Sequence, residues 1–354
     1  MNPSPIIPDH TLLRPIGRGA YGEVWLARNI MGTPRAVKIV WRSQFESERP
    51  YEREFAGVQR YEPVSRTTGG LVHLLHVGRD DAAGYFYYVM ELADDAAVPT
   101  SKEGVQVHTS IGPGSWDFYA PRTLRSEVAR LGRLSTHECL RVALEAVSGL
   151  AQLHRQGLVH RDVKPGNIIF VGGRAKLADI GLITAHGETR TFVGTAGYIA
   201  PEGPGSVQAD LYALGVSLFE ASTGLQPEKF PDIPPEWLAD SAGDESLEFH
   251  EIVLRACEGQ REQRYRTAEE MQADLALLQS GQSVRRLRAL ERRAAVVRKF
   301  AWAAGFLVII ALGIALYANA RAKVEAANRA KEQNLREQAQ HSQFRAESAE
   351  RLAR

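Results

Sequence analysis

Cysteine is nearly absent from this chain, which contains two such residues in 354, Cys139 and Cys257. They lie far apart and form no CxxC pair, which excludes a disulfide framework and a cysteine-based metal site and indicates a reducing compartment. A large charge of one sign is also missing, because 43 basic and 42 acidic residues leave a formal net charge of +1. That balance gives no electrostatic reason to expect a nucleic-acid partner.

The amino terminus lacks the basic and then apolar run of a signal peptide, and residues 1–10 carry three prolines instead, so we interpret them as a short leader. The break in composition comes late. Residues 300–318 read FAWAAGFLVIIALGIALYA and contain no charge. At 1.5 Å per residue a helix of this length spans roughly 28 Å, close to the bilayer's hydrocarbon thickness of about 30 Å. We predict a transmembrane helix, with a buried core helix as the alternative.

Basic residues flank this apolar run unequally, with seven in the juxtamembrane segment 280–299 and five in residues 319–336, the first half of the tail 319–354. The positive-inside rule therefore predicts that residues 1–299 face the cytoplasm and that an extracytoplasmic polar helical tail follows the span. In a bacterium this is a single-pass protein of the inner membrane. The small residues Ala301 and Gly305 are spaced for close helix packing and favour a homodimer.

The chain before the span divides into a strand-rich front and a helix-rich back. Short strand-like runs separated by glycine-bearing turns fill residues 11–92, interrupted by one amphipathic helix at 46–61. Residues 93–121 have the composition of a loop insertion, and the remainder to 279 is mostly helical. Ser135 and Glu138 are spaced as a capping box at the start of a helix. This order predicts two lobes, 11–92 and 93–279, with a ligand cleft between them.

The most informative motif is HRDVKPGN at residues 160–167. It places Asp162, Lys164 and Asn167 on one loop after a helix. Phosphoryl transfer needs these three groups: a carboxylate for the incoming hydroxyl, a cation for the phosphate and an amide oxygen for a metal ion.

A glycine-rich segment at residues 17–24, GRGAYGEV, fits the pattern GxGxxGxV. The pattern alone also occurs in dinucleotide-binding folds, where the loop opens a helix. Here VWLA at 24–27 reads as a returning strand, which favours a hairpin whose glycines, Gly17, Gly19 and Gly22, lie close over phosphates.

Further motifs follow in a fixed order. AVK ends at Lys38, and MELA at 90–93 ends a strand. DIG begins at Asp179, and GTAGYIAPE at 194–202 contains Thr195.

The motifs and their order resemble the eukaryotic-type (Hanks-type) serine/threonine protein kinases of the bacterial, membrane-anchored kind over residues 11–278. The resemblance implies an α+β, bilobal fold with a small β-rich N-lobe and a larger helical C-lobe, followed by the single transmembrane helix. It implies ATP and Mg²⁺ as cofactors, with Mn²⁺ as an alternative metal, protein substrates with serine or threonine acceptors, and autophosphorylation. Ile180 stands where the family usually has phenylalanine.

The resemblance also assigns catalytic roles. Asp162 orients the substrate hydroxyl, Lys164 neutralises the transferred phosphoryl group, and Thr195 hydrogen-bonds between them. Lys38 holds the α- and β-phosphates and needs a carboxylate partner on the following helix. We choose Glu54, with Glu52 as the runner-up.

Nucleotide binding, by the same resemblance, uses the glycine loop, the hinge after the last N-lobe strand and apolar faces around adenine. The predicted residues are Gly17, Gly19, Gly22, Val24, Ala36, Lys38, Met90, Glu91, Ala93 and Ile169. The predicted metal ligands are Asn167 and Asp179.

Regulation is expected at Arg161, which in related kinases meets a phosphorylated residue of the activation segment. Thr189 and Thr191 are the candidates for that phosphorylation, ahead of Thr184. Glu202 with Arg264, and Asp210 with Gly215, match architectural positions of the family.

The residues leave two other classes of protein open. A pseudokinase, a binding or scaffold module at the membrane, usually lacks one of Lys38, Asp162 and Asp179, and all three are present. A small-molecule phosphotransferase generally lacks the GTxxYxAPE segment.

Overall fold

The computed structural model describes residues 5–19, 22–97, 115–180, 184–185, 194–233 and 244–352. The chain divides into two compact units, 1–284 and 285–354. The first unit contains both predicted lobes, and the second is the C-terminal helix.

Five antiparallel strands form the N-lobe sheet in the order β1-β2-β3-β5-β4. They are β1 His10–Arg18, β2 Gly22–Asn29, β3 Pro34–Trp41, β4 Leu74–Asp80 and β5 Tyr85–Met90. The β3–β5 register pairs Ala36 with Met90 and Lys38 with Tyr88. The central strands therefore bring the predicted lysine and Met90, where the hinge begins, to one face of the sheet.

Helix α1, Glu48–Ser65, packs its buried face against this sheet. It continues four residues beyond the predicted end at Tyr61 because Val64 extends the apolar spacing of Val58 and Tyr61 on the same face. The strand-like run of residues 71–77 predicts that the following strand begins at Leu71, but it begins at Leu74.

The segment before β4 instead joins the C-lobe. Leu177 donates its amide to Gly70 O and accepts from the amide of Val72, each at 2.9 Å. Gly70 lies so close to the third helix that an added Cβ would be 2.2 Å from Glu145 O. Only glycine fits there, and the close approach locks the two lobes together at this point.

The C-lobe is built from α2 Leu124–Leu131, α3 Thr136–Arg155, α4 Val207–Thr223, α5 Asp244–Ala256 and α6 Ala268–Gln279. Two small antiparallel pairs carry the catalytic loops, β6 Leu158–Val159 with β9 Thr184–Ala185 and β7 Ile168–Val171 with β8 Arg174–Leu177. The predicted capping box of Ser135 and Glu138 is confirmed. The lobe is organised around α4, most of whose residues are buried.

Helix α7, Val284–Leu352, is 69 residues long and contains the predicted juxtamembrane segment, apolar run and tail. By length and composition alone, its portion Ala304–Ser342 is suited to cross a membrane, with a mean hydropathy of 1.7 in its most apolar window. None of that window is buried within the protein, so the core-helix alternative is wrong for the described residues.

Candidate active site

The backbone of the catalytic loop is anchored by one buried carboxylate, Asp210, in the first turn of α4. Its two oxygens accept from the amides of His160 and Arg161, each at 2.8 Å, and from the His154 ring at 2.9 Å. Burial raises the pKa of Asp210, but the hydrogen bonds and charges of these histidines outweigh it and hold the pKa below its ordinary value. Arg161 is thereby kept at a φ of 70°, a conformation that is unfavourable for a non-glycine residue.

Asp162 lies at the centre of the catalytic cluster, and its side chain is largely buried. One carboxylate oxygen accepts from Lys164 Nζ at 2.7 Å and from Asn167 Nδ2 at 2.8 Å. The other accepts from the Thr195 hydroxyl at 2.9 Å. Lys164 Nζ also donates to that hydroxyl at 2.7 Å, so the hydrogen bonds predicted for Thr195 are present.

The two predicted metal ligands lie just before β7 and just after β8, which pair with each other, and both line the same cavity. Asn167 uses its Nδ2 to donate to Asp162, which leaves its Oδ1 for a cation. Asp179 has a φ of 60° and uses Oδ1 to accept from Lys38. One carboxylate and one amide oxygen beside a phosphate site fit the way Mg²⁺ binds, since that ion takes few protein ligands and completes its shell with phosphates and water.

Lys38 is buried, and its ammonium pairs with Asp179 at 2.6 Å. The charge of Lys38 lowers the pKa of Asp179 to about 2. Glu54 also points into this buried region but forms no salt bridge with Lys38 within 4.0 Å, and its Oε1 has no hydrogen-bond partner among the described residues. The structure therefore brings Lys38 and Asp179 together, and the predicted Lys38–Glu54 pair stays a prediction.

Glu52, the runner-up for this pairing, faces the other way. Both of its carboxylate oxygens accept from Arg79 on β4, at 2.6 and 2.8 Å, and its side chain is 42% exposed. Only Glu54 faces the buried side of α1 where Lys38 lies.

Glu54 makes the stability of the nucleotide-free protein depend on pH. Burial raises its pKa to about 7 against the opposing charge of Lys38. Between the ordinary carboxyl pKa and 7 the folded state therefore holds a proton that the unfolded state releases, so stability falls as the pH rises through this window. We expect Glu54→Gln to remove this decline, on the order of 3 kcal/mol at 1.36 kcal/mol per pH unit.

Urea unfolding of the purified chain at pH 5 and pH 8 measures this effect as a difference between variant and wild type. Glu52→Gln is the matched control with the opposite sign, because the hydrogen bond from Arg79 lowers the pKa of Glu52. A wild-type pH profile in Glu54→Gln would contradict the prediction.

A cavity of about 270 Å³ lies between the lobes. All of the residues predicted to bind nucleotide line it except Gly22, and so do both predicted metal ligands. Gly22 supports the loop from beneath, since a Cβ on it would be 2.3 Å from Ile39 O. Its carbonyl accepts from the Gly19 amide at 2.8 Å, which closes the turn.

Two tyrosines of this cavity were missed by sequence reasoning. Tyr88 faces Lys38, whose Nζ lies 5.9 Å from the ring centroid, and the alternation of β5 around Met90 was a signal that could have identified it. Tyr119 belongs to the stretch interpreted as a loop insertion, and no motif marks it. Burial raises the pKa of Tyr119 above its ordinary value.

The end of the activation segment is held by an ion pair with the late arginine. Arg264 is fully buried and donates to both oxygens of Glu202, at 2.7 and 2.9 Å. Ile180 is buried, in keeping with the inward packing expected of that position. The predicted phosphorylation sites Thr189 and Thr191 lie outside the described residues, as do the side chains of Thr184 and Ala301.

Comparison with known proteins agrees with this geometry. The family model described as protein kinase domain matches residues 10–272. Serine/threonine-protein kinase PrkC of Bacillus subtilis is 29% identical over 292 residues, which cover 75% of this chain and 40% of that protein. Serine/threonine-protein kinase PknA of Mycobacterium tuberculosis is 31% identical over 237 residues, 62% of this chain and 47% of that protein.

Serine/threonine-protein kinase PknB of Mycobacterium leprae is 32% identical over 204 residues, which cover 50% of this chain and 32% of that protein. The chain thus spans less than half the length of these curated relatives.

A bilobal fold with a phosphoryl-transfer cluster at the cleft defines the class of ATP-dependent phosphotransferases. Within that class, the chain belongs to the protein kinase family, and its domain is of the serine/threonine type with ATP and a divalent metal ion as cofactors.

Proposed function

We propose that this chain is a membrane-anchored serine/threonine protein kinase that transfers the γ-phosphoryl group of ATP to protein hydroxyls and phosphorylates itself. The observation that carries the proposal is the closed cluster of Asp162, Lys164 and Thr195, in which all three side chains contact one another within 3 Å. Such a cluster supports catalysis by positioning and charge neutralisation, which dominate phosphoryl transfer.

Asp162 accepts a hydrogen bond from the acceptor hydroxyl and receives its proton. Lys164, 2.7 Å from the same carboxylate, neutralises negative charge on the transferred group. Thr195 fixes the separation of these two residues by binding both. Lysine at this offset and the threonine beside it support serine and threonine, rather than tyrosine, as acceptors.

The nucleotide is proposed to bind in the interlobe cavity, with its base against residues 91–93 and its phosphates under the glycine loop. Lys38 turns from Asp179 to the α- and β-phosphates, and Glu54 then takes the position of its carboxylate partner. Asn167 and Asp179 hold Mg²⁺, with Mn²⁺ as an alternative, and the cation supplies charge neutralisation to the phosphates when bound.

The experiment for this function is transfer of radiolabel from γ-labelled ATP, followed by phosphoamino acid analysis of the purified chain and of a generic acceptor such as myelin basic protein. Phosphoserine and phosphothreonine are expected, and phosphotyrosine is not. A chain that binds nucleotide but transfers no label would instead be a pseudokinase-type scaffold, and label in phosphotyrosine alone would contradict the proposed acceptor.

Regulation through Arg161 is supported by the positive charge of Arg53, which acts on the guanidinium of Arg161. Its side chain is largely buried, burial lowers the pKa of its guanidinium, and the charge of Arg53 adds to that effect while Asp210 opposes it. A phosphate bound here would relieve this cost by a charge-assisted pair. The proposed sources of that phosphate are Thr189 and Thr191.

The double variant Thr189→Ala/Thr191→Ala, purified from a host without kinases of this type, is expected to lose most of its activity toward a protein acceptor. Activity after preincubation with ATP measures the effect, and Thr223→Ala, a buried threonine of α4, controls for the loss of a threonine as such. Equal activity of the double variant and wild type would contradict phosphorylation-dependent activation.

Residues 300–318 are proposed to span the bacterial inner membrane, with the kinase domain in the cytoplasm and the tail outside, and pairing of the apolar helices is proposed to give a homodimer. The apolar side chains of this run that the structure describes are exposed, which supports contact with lipid or with a second helix. Protease treatment of intact spheroplasts is expected to remove the tail only. Removal of the kinase domain by the protease would contradict the proposed topology.

A further inference from the structure

The hinge, residues 91–93, presents four backbone groups that differ in whether they are already hydrogen-bonded. The Glu91 amide donates to His73 O at 3.3 Å, which ties the hinge to the neighbouring segment. Neither the Glu91 carbonyl nor the Ala93 amide has a hydrogen-bond partner among the described residues. One acceptor and one donor are thus available to a ligand, which matches the 6-amino donor and N1 acceptor on the edge of adenine.

The fourth group, the Ala93 carbonyl, already accepts a hydrogen bond. The Tyr119 hydroxyl donates to it at 3.0 Å, and both residues line the nucleotide cavity. Tyr119 is 4% exposed, so its ring is packed into the cavity wall rather than lying loosely on the surface. A ligand donor that approaches this carbonyl from the side of Tyr119 would have to displace a buried hydroxyl from its only described partner.

Tyr119 is held from the opposite side of the cleft by Arg14 on β1. Arg14 Nε donates to Trp116 O at 2.9 Å, and its Nη2 donates to Tyr119 O. The turn is also tied to the segment after the hinge, because Ala96 donates its amide to Ala120 O at 2.9 Å. The tyrosine is therefore fixed both at the hinge and at the strand that leads into the glycine loop.

We propose that Tyr119 is a specificity-determining residue of the nucleotide site, which occupies the outer hinge carbonyl and so restricts the base to an adenine without a 2-amino group. The 2-amino donor of 2,6-diaminopurine would point at the place taken by the Tyr119 hydroxyl. The inference rests on the proposed binding of adenine against the hinge. Arg14 acts as a positioning residue, because it touches the backbone around Tyr119 and not the base.

The test compares the dissociation constants of ATP and 2-amino-ATP, the triphosphate of 2,6-diaminopurine riboside, by isothermal titration calorimetry with the full chain and Mg²⁺. Wild type is expected to bind 2-amino-ATP no more tightly than ATP. Tyr119→Phe keeps the ring but exposes the Ala93 carbonyl to the ligand, and we expect it to shift the ratio about three- to tenfold toward 2-amino-ATP, the worth of one neutral hydrogen bond. Arg14→Met should shift the ratio in the same direction by less.

Phe118→Ala is the matched control, because Phe118 lies in the same turn but is 85% exposed and does not line the cavity. Phe118→Ala should leave the ratio of the two dissociation constants at the wild-type value. If Tyr119→Phe acted only by loosening the turn, Phe118→Ala would change this ratio in the same way. An unchanged ratio in Tyr119→Phe, with ATP still binding, would overturn this inference alone. Absence of ATP binding by wild type would overturn the proposed function as well.

Discussion

Asp162→Asn is expected to lower kcat for phosphoryl transfer by about 10²- to 10⁴-fold, with little change in KM for ATP. The variant keeps the volume of the side chain but removes the charge that binds Lys164 and the acceptor that receives the substrate proton. General-base groups contribute about this much to enzymatic rates, or roughly 3–5 kcal/mol of the barrier at 1.36 kcal/mol per tenfold. Initial rates of label transfer at several ATP concentrations separate the two constants.

Asp232→Asn is the control for this substitution, since Asp232 is exposed and far along the chain from the cluster. Its kcat should match wild type. Retention of more than about a tenth of the wild-type kcat by Asp162→Asn would contradict the role given to Asp162. An equal thermal midpoint for both variants excludes misfolding as the cause of a loss.

Arg264→Ala is expected to destabilise the domain by about 3–5 kcal/mol, because it empties the space of a fully buried side chain and removes its hydrogen bonds, including those to the partly exposed Glu202. The guanidinium also donates to Glu258 O at 2.6 Å and lies 4.9 Å from the Tyr212 ring centroid. For a domain of this size the loss corresponds to a fall of roughly 6–20 °C in the thermal midpoint. Differential scanning calorimetry of the purified chain measures it.

Two further variants define the cause. Arg264→Lys keeps the charge but not the planar fork that binds both carboxylate oxygens, so its midpoint should lie between those of wild type and Arg264→Ala. Arg266→Ala, two residues further on and exposed, should change stability by less than about 0.5 kcal/mol. If Arg264→Ala and Arg266→Ala had the same thermal midpoint, the contacts of the buried Arg264 would not stabilise the domain as argued.

Much of the fold could be predicted because its signals are local. The alternation of strands in 11–92 follows from glycine-bearing turns, and the start of α3 follows from the capping box of Ser135 and Glu138, which the structure confirms. The end of α1 and the start of β4 were misjudged by a few residues. At β4 the deciding contacts are with distant parts of the chain, such as that of Val72 with Leu177.

The candidate site divides in the same way. The partners within the catalytic loop, Asp162, Lys164 and Asn167, were predictable because they fall within six consecutive residues of one loop and must lie close together. The present partner of Lys38 was not, since Asp179 and Glu54 are both carboxylates that the fold brings near it. Which of these two carboxylates pairs with Lys38 depends on the exact position of α1. Spacing along the chain does not encode that position.

By itself the sequence determined the chemistry: the residue types of the phosphoryl-transfer loop, their order along the chain and the late apolar run are all short-range patterns. Only the tertiary structure decided which groups meet, namely Lys38 with Asp179 at 2.6 Å and Tyr119 with the Ala93 carbonyl at 3.0 Å. The physical reason is that these pairs are 141 and 26 residues apart. Their contact depends on how sheet, helix and insertion pack, and no local propensity specifies that packing.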